Sequence, residues 1–243
     1  VNDSNSHKNN DEQQLKLFQT HEHACSYLDD KQAQTLFVDP EAKLTRTSQT
    51  RLAALGFRRS GDFVYRPNCK DCSACVPARI PVAQFKANRT QRRIWRKNAA
   101  LTATITDAVS NDERYALYAR YITARHQDGD MYPPTPEQFE DFLTKSQADT
   151  RFIEYRDEGK LVAVAVTDML DNAYSAVYSF FDPDNPRASY GVYTILSQID
   201  LAQKAGLDYL YLGYWIKACQ KMSYKVDYRP VQLFVNDRWT VLT

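Results

Sequence analysis

The chain has 243 residues, 43% hydrophobic and 25% charged, which suits a packed globular protein of one large or two modest domains. No apolar run approaches the roughly 18 residues a membrane helix needs, and residues 1–14 are polar without the apolar core of a secretory signal. The net charge of +1 is unevenly spread: residues 43–106 hold fourteen Lys/Arg against Asp62 and Asp71, about +12, while 1–42 come to about −5 and 107–243 to about −6. Such a concentrated field attracts polyanions.

Residues 1–20 read as a disordered tail or an expression remnant. Residues 36–40 read as a short strand ended by Pro40. Thr47 or Ser48 can cap a helix that runs to Leu55, with Gly56 as its stop. A strand at 63–66 leads into Cys69-x-x-Cys72-x-x-Cys75, and another strand spans 78–85. Five cysteines, three of them this close together, do not resemble a secreted disulfide framework, so a cytosolic location is expected.

A basic helix follows. Arg89, Arg92, Arg93, Arg96 and Lys97 fall at i, i+3, i+4, i+7 and i+8, which makes one stripe. Ile94 and Trp95 lie to one side, where they can anchor the helix. The stripe is either a solvated face or a phosphate-binding one. Like charges on one face repel each other without a counter-anion, which favours phosphate.

Residues 101–106 alternate as a strand does. Asn111 or Asp112 caps a long helix over 113–126, with Tyr115, Tyr118 and Ile122 on one face. A proline-rich loop precedes a helix near 137–146. Strands at 151–156, 161–170 and 173–181 are joined by turns at Glu158-Gly159 and Asp171-Asn172. An amphipathic helix over 190–205 stops at Gly206. A strand at 207–214, a short helix at 216–224, and strands at 232–235 and 239–242 close the chain.

These elements predict an α/β (α+β) protein. A cysteine-containing basic domain over 21–100 precedes a domain over 101–243 with a mixed, mainly antiparallel sheet. The meander that feeds a helix and then a parallel strand resembles the plan of GNAT-type acyltransferases.

A closer resemblance rests on ordered blocks of residues. These are Cys25-Ser-Tyr-Leu, Gly56-Phe-Arg-Arg-Ser-Gly61, Tyr65-Arg-Pro67, the cysteine cluster, the arginine-rich helix and His126-x-Asp128. They continue with Ser175-x-x-Tyr178-x-Phe-x-Asp182-Pro183, Ser189-x-Gly191-x-Tyr193 and Gly213-Tyr-Trp-Ile216-x-x-Cys219-x-x-Met222-x-Tyr224-Lys225. From Cys25 onward the chain resembles the bacterial aspartate/glutamate leucyltransferases, relatives of the arginyl-tRNA–protein transferases of the N-degron pathway. The resemblance implies transfer of leucine from leucyl-tRNA to proteins beginning with Asp or Glu, marking them for degradation. Arginyltransferases usually have a second cysteine three positions after the first. Here that position is Leu28, so their metal or iron–sulfur chemistry does not carry over intact.

The implied reaction is aminolysis of an activated ester. It needs alignment, oxyanion stabilisation and proton management, and requires no cofactor. His126, aided by Asp128, is either a base or a structural histidine. Tyr178 and Tyr214, at strand ends, are either carbonyl-binding hydroxyls or core residues. Arg58, Arg59 and Arg79 are candidates for gripping the acidic first side chain, because a guanidinium forks onto a carboxylate. Lys217, Lys221 and Lys225, spaced by four, either add tRNA contacts or form a solvated helix face. Cys25, Cys69, Cys72 and Cys75 either hold zinc or an iron–sulfur cluster, or are free thiols.

Three alternatives compete. One is an arginyl donor. Another is an acetyl-CoA-dependent N-acetyltransferase, disfavoured because Arg187-Ala-Ser-Tyr-Gly191-Val has the wrong spacing and a single glycine for a pyrophosphate loop. The last is a non-catalytic RNA-binding module with a zinc knuckle.

Overall fold

The computed structural model describes residues 14–129 and 131–242. Most of the tail expected over 1–20 lies outside the described residues. Its end does not remain a tail: Leu17–Gln19 form strand β1, which pairs antiparallel with β4.

A small sheet opens the fold. After β1 come a two-residue hairpin, β2 (His23–Ala24) and β3 (Gln32–Ala33), and then β4 (Thr35–Val38). Helix α1 (Arg46–Ala54) starts on Thr45, whose side chain accepts from the Ser48 amide. The cap therefore lies two residues before the expected Thr47. Gly56, at φ +84°, ends the helix as its sequence suggests. Strands β5 (Arg58–Ser60) and β6 (Phe63–Pro67) complete an antiparallel sheet of order β1-β4-β6-β5. Val38, Leu52 and Phe57 form its core.

The main sheet has eight strands, β7 (Val76–Pro81), β8 (Thr102–Asp107), β9 (Thr150–Asp157), β10 (Lys160–Met169), β11 (Ala173–Phe181), β12 (Tyr209–Trp215), β13 (Val231–Val235) and β14 (Arg238–Leu242). Their order is β14-β13-β7-β12-β11-β10-β9-β8. The sheet is mixed and mainly antiparallel, with β11 and β12 as its parallel pair. The boundary expected at residue 100 does not separate the sheets. β7 lies between β12 and β13, and α2 (Arg89–Lys97) packs Ile94 and Trp95 against the same core. The cysteines and arginines mark a change of composition. Pairing is decided by the buried run that ends β7, which needs ladder partners on both sides.

Helices cover both faces. α5 (Tyr190–Lys204) packs on one, over Ile80, Leu210 and Leu212 and over Ala163 and Ala165. α3 (Asp112–Arg125) and α4 (Pro136–Phe139), the latter extended by a π turn, cover the other through Tyr118, Ile122 and Phe139. Coverage on both faces explains why β10 is almost continuously apolar. α6 (Gln220–Ser223) begins later than the helix expected from 216, and a 3-10 turn follows it.

Candidate active site

The parallel pair in the sheet centre positions the site. β11 and β12 pair only at Ala173–Tyr209, Tyr174–Leu210 and Ser175–Tyr211. Beyond that, β11 stays with β10 and β12 stays with β7, so the two strands part. A wedge opens in the middle of the sheet.

Arg58 enters that wedge from β5. Its Nη1 donates to Ser175 Oγ at 2.8 Å and its Nη2 to the Ala176 carbonyl at 2.5 Å. Gly213, at φ +81°, leaves room for it: a Cβ there would lie 3.2 Å from Arg58 Nε. Among the described residues no carboxylate forms an ion pair with Arg58. Burial holds its pKa below the ordinary arginine value, partly offset by Tyr65, Tyr214 and Asp168.

Next to the parting strands lies a cleft of about 840 Å³. Ser179 and Phe181 of β11 form its floor, and Tyr121 and Arg125 of α3 and Tyr224 close other sides. Gly191 lets the first turn of α5 approach Phe181, because a Cβ there would meet the ring at 3.1 Å. The N-terminus of α5 opens on the cleft with Ser189 at φ 56° and no side-chain cap. A helix end of this kind favours an anion.

α2 forms the rim. Its Thr90, Gln91 and Ile94 line the cleft, while Arg89, Arg92, Arg93, Arg96 and Lys97 are exposed on its outer side. None of these five makes an ion pair with a described residue. Arg92 and Lys97 instead donate to the backbone carbonyls of Ala87 and Arg187. The helix is held by a full capping box between Asn88 and Gln91.

Residues 23–93 match the family described as "Arginine-tRNA-protein transferase, N terminus", and residues 113–235 match its "C terminus". Proteins named "Aspartate/glutamate leucyltransferase" are similar along nearly the whole chain. The one from Hahella chejuensis is 51% identical, covering 94% of this chain and 97% of its own. That from Alcanivorax borkumensis is 54% identical, covering 93% of each. The chain belongs to the aspartate/glutamate leucyltransferases. Among solved structures, that of FemX covers 82% of this chain and 79% of its own at 10% identity, with a TM-score of 0.43.

Within this leucyltransferase fold the expected site residues separate. His126, the C-cap of α3, packs its ring on Tyr121 at 5.2 Å, with Nε2 at 3.3 Å from the Tyr121 hydroxyl. Partial burial, then Lys221, lower its pKa. Burial pushes the Tyr121 phenol up to about 12, so it remains a proton donor. Asp128 does not hydrogen-bond His126. It is exposed and pairs with Lys221 Nζ at 3.0 Å.

Tyr178 points away from the cleft floor, because successive strand residues face opposite sides. It packs on Phe142 at 5.3 Å, and its buried hydroxyl has no partner among the described residues. Tyr214 is a strut. Its hydroxyl lies 3.0 Å from the Gly56 carbonyl and 3.1 Å from that of Tyr65, tying β12 to the small sheet.

Arg59 and Arg79 are engaged elsewhere. Arg59 forks onto Asp168 with two 2.8 Å bonds in a buried pair. Arg79 lies between the rings of Tyr209 and Trp239, at 3.6 and 4.2 Å, and bonds Gln232. The expected lysine face does not exist. Lys221 is exposed on α6, Lys217 precedes that helix, and Lys225 is buried at 3% exposure.

The cysteines gather without forming a metal cage. Burial, then Cys25, Cys69, Cys72 and Cys219, push the Cys75 thiol up to about 12. Yet among the described residues no three His, Cys, Asp or Glu side chains converge as metal ligands. All five cysteines are free. As placed, the four thiols do not fit a zinc or iron–sulfur group, and no step below passes through one.

Sequence reading missed Tyr121, Arg125, Ser179 and Tyr224 as cleft residues. The signal was present in Gly191, a glycine in the first turn of an apolar helix, which implies a close neighbour.

Proposed function

We propose that this protein moves leucine from leucyl-tRNA onto the N-terminus of proteins that begin with Asp or Glu. The observation that carries this reading is Arg58, a cation in the wedge of the central sheet that no carboxylate pairs with among the described residues. The nearby cleft is lined by α2, whose outer side carries five exposed basic residues. The names of the similar proteins supply the donor amino acid and the acceptor residues.

The chemistry follows from the parts. The α2 stripe holds RNA phosphates, and the open end of α5 receives an anionic group of the tRNA 3′ end. The aminoacyl ester then lies in the cleft. An α-amine has a pKa of about 7.7–8.0, so an appreciable neutral fraction exists at cellular pH. Its nitrogen attacks the ester carbonyl. The amine loses a proton, the ribose oxygen leaves and takes one up, and an amide replaces the ester. Tyr121, backed by His126, is the hydroxyl positioned to donate to the carbonyl oxygen. Arg58 takes the acceptor's side-chain carboxylate. In the cytosol, the added leucine would mark the acceptor for degradation.

The test is transfer of labelled leucine from leucyl-tRNA to a peptide beginning with Asp, run beside arginyl-tRNA and acetyl-CoA donors. Transfer from leucyl-tRNA alone supports the reading. Consumption of acetyl-CoA, or equal use of both tRNAs, overturns it.

A further inference from the structure

Lys225 has no evident structural reason to be a lysine. It is 3% exposed, follows α6 in the 3-10 turn, and makes no ion pair with any described residue. Its ammonium contacts the Met222 thioether at 3.3 Å and the Tyr224 ring at 4.8 Å. A thioether is a weak acceptor and a ring face is only a partial substitute for water. Burying an ammonium without an anion is costly, so such a position usually carries methionine or leucine instead.

Its neighbours sharpen the question. The charged and titratable groups acting on Lys225 are Arg58, from β5, and Cys219, from the turn before α6. Arg58 is a like charge, itself without a carboxylate partner among the described residues. The carboxylate nearest in role, Asp168, is already held by Arg59 and by Thr150 at 2.7 Å. Among the described residues no carboxylate pairs with either cation, although Asp168, held by Arg59, offsets part of the cost of burying Arg58. Burial, then Arg58, push the Lys225 ammonium down to about 7. Tyr224, whose ring covers Lys225, also lines the cleft. Tyr224 is thus the side chain that the ammonium and the cleft have in common.

We propose that Arg58 and Lys225 form a two-cation seat for the side-chain carboxylate of the acceptor's first residue, and that Lys225 must be protonated for the acid to bind. This rests on the reading that acceptors begin with Asp or Glu. A carboxylate between the two cations supplies the missing counter-charge and restores the lysine's affinity for its proton. Affinity for an acidic acceptor then falls as pH rises through the titration of the free site. The flexible stem of Lys225 supplies the reach, and Arg58, fixed by Ser175 and Ala176, supplies the direction.

The experiment is steady-state transfer from leucyl-tRNA to two peptides differing only in Asp or Asn at the first position, between pH 6 and 9. Their ratio removes the titration common to both α-amines. For the unmodified protein, the Asp-to-Asn ratio of kcat/KM should fall by up to about tenfold per pH unit above pH 7. Lys225→Met, apolar among apolar neighbours, should raise KM for the Asp peptide by roughly tenfold or more. It should leave the Asn peptide and leucyl-tRNA within about twofold. Lys225→Arg should keep the Asp preference and lose its pH dependence, because arginine does not titrate in this range.

A Lys225→Met protein that prefers Asp as strongly as before overturns the lysine's role. So does an equal loss of kcat with both peptides, which would make it a proton-transfer group, or a raised KM for leucyl-tRNA, which would assign the seat to the RNA. An unmodified protein that does not distinguish Asp from Asn refutes the underlying reading instead.

Discussion

Gly213 and Arg58 share one space: the Cα of the glycine sits where a Cβ would lie 3.2 Å from Nε and 3.4 Å from Cζ of the guanidinium. The backbone at 213 also has φ +81°, a region that L side chains rarely adopt. Gly213→Ala should therefore carry two penalties. Left-handed strain costs about 1–2 kcal/mol, read as a lowered midpoint of thermal or urea unfolding. Displacement of Arg58 should weaken the acidic acceptor selectively. If the variant unfolds normally and keeps its preference for Asp, the wedge is wider than these distances imply.

Arg59 and Asp168 make the complementary prediction. Both side chains are 6% exposed, and their two 2.8 Å bonds fasten the small sheet to β10. Removing one partner leaves a buried charge alone, which typically costs about 3–5 kcal/mol. Arg59→Met should show that loss in urea unfolding, whereas the double variant with Asp168→Leu should recover most of it. A small effect from the single change would mean that water reaches the pair.

Much of this arrangement is legible in the sequence, and the failures have a common cause. The Asn111 cap, the β9–β11 meander and α5 follow from local periodicity and turn residues, and they form where expected. The three arginines could not be ranked, because the residues that engage them are remote. Asp168 lies 109 positions from Arg59, and Gln232 lies 153 from Arg79. The pairing of β7 with β12 and β13 is equally non-local. Lys217, Lys221 and Lys225 misled for a different reason. A spacing of four defines one face only where a helix is continuous, and here the turns tighten and change type around α6.

The outer face of α2 predicts a salt dependence. Arg92, Arg93 and Arg96 are exposed and lack acidic partners among the described residues, so reversing them should hardly affect folding. Binding of tRNA should weaken. The slope of log K against log salt should flatten by roughly 0.7–0.9 for each phosphate that the variant no longer neutralises. Filter binding or fluorescence titration at several salt concentrations measures both. An unchanged slope would remove this helix from the RNA-binding surface.

Lys221 gives the last prediction, through His126. Partial burial lowers the imidazole's pKa, and Lys221 adds to that as a like charge, while Asp128 opposes it. Asp128 is itself held low by its bond to Lys221. Lys221→Met removes the like charge and frees the Asp128 carboxylate, and both changes favour imidazolium. The His126 titration should therefore move upward, which NMR of the imidazole resonances would show directly. The consequence for transfer has a definite sign. A ring that accepts at Nε2 takes up the single Tyr121 hydroxyl proton, while a protonated ring donates to the hydroxyl oxygen and leaves that proton for the substrate carbonyl. On the acid side the variant should thus keep the Tyr121 proton available up to a higher pH and transfer faster than the unmodified protein, with both converging in the alkaline range. If the NMR titration shifts and the acid limb of activity does not follow, the contact of His126 with Tyr121 serves packing, and the carbonyl is polarised by another group.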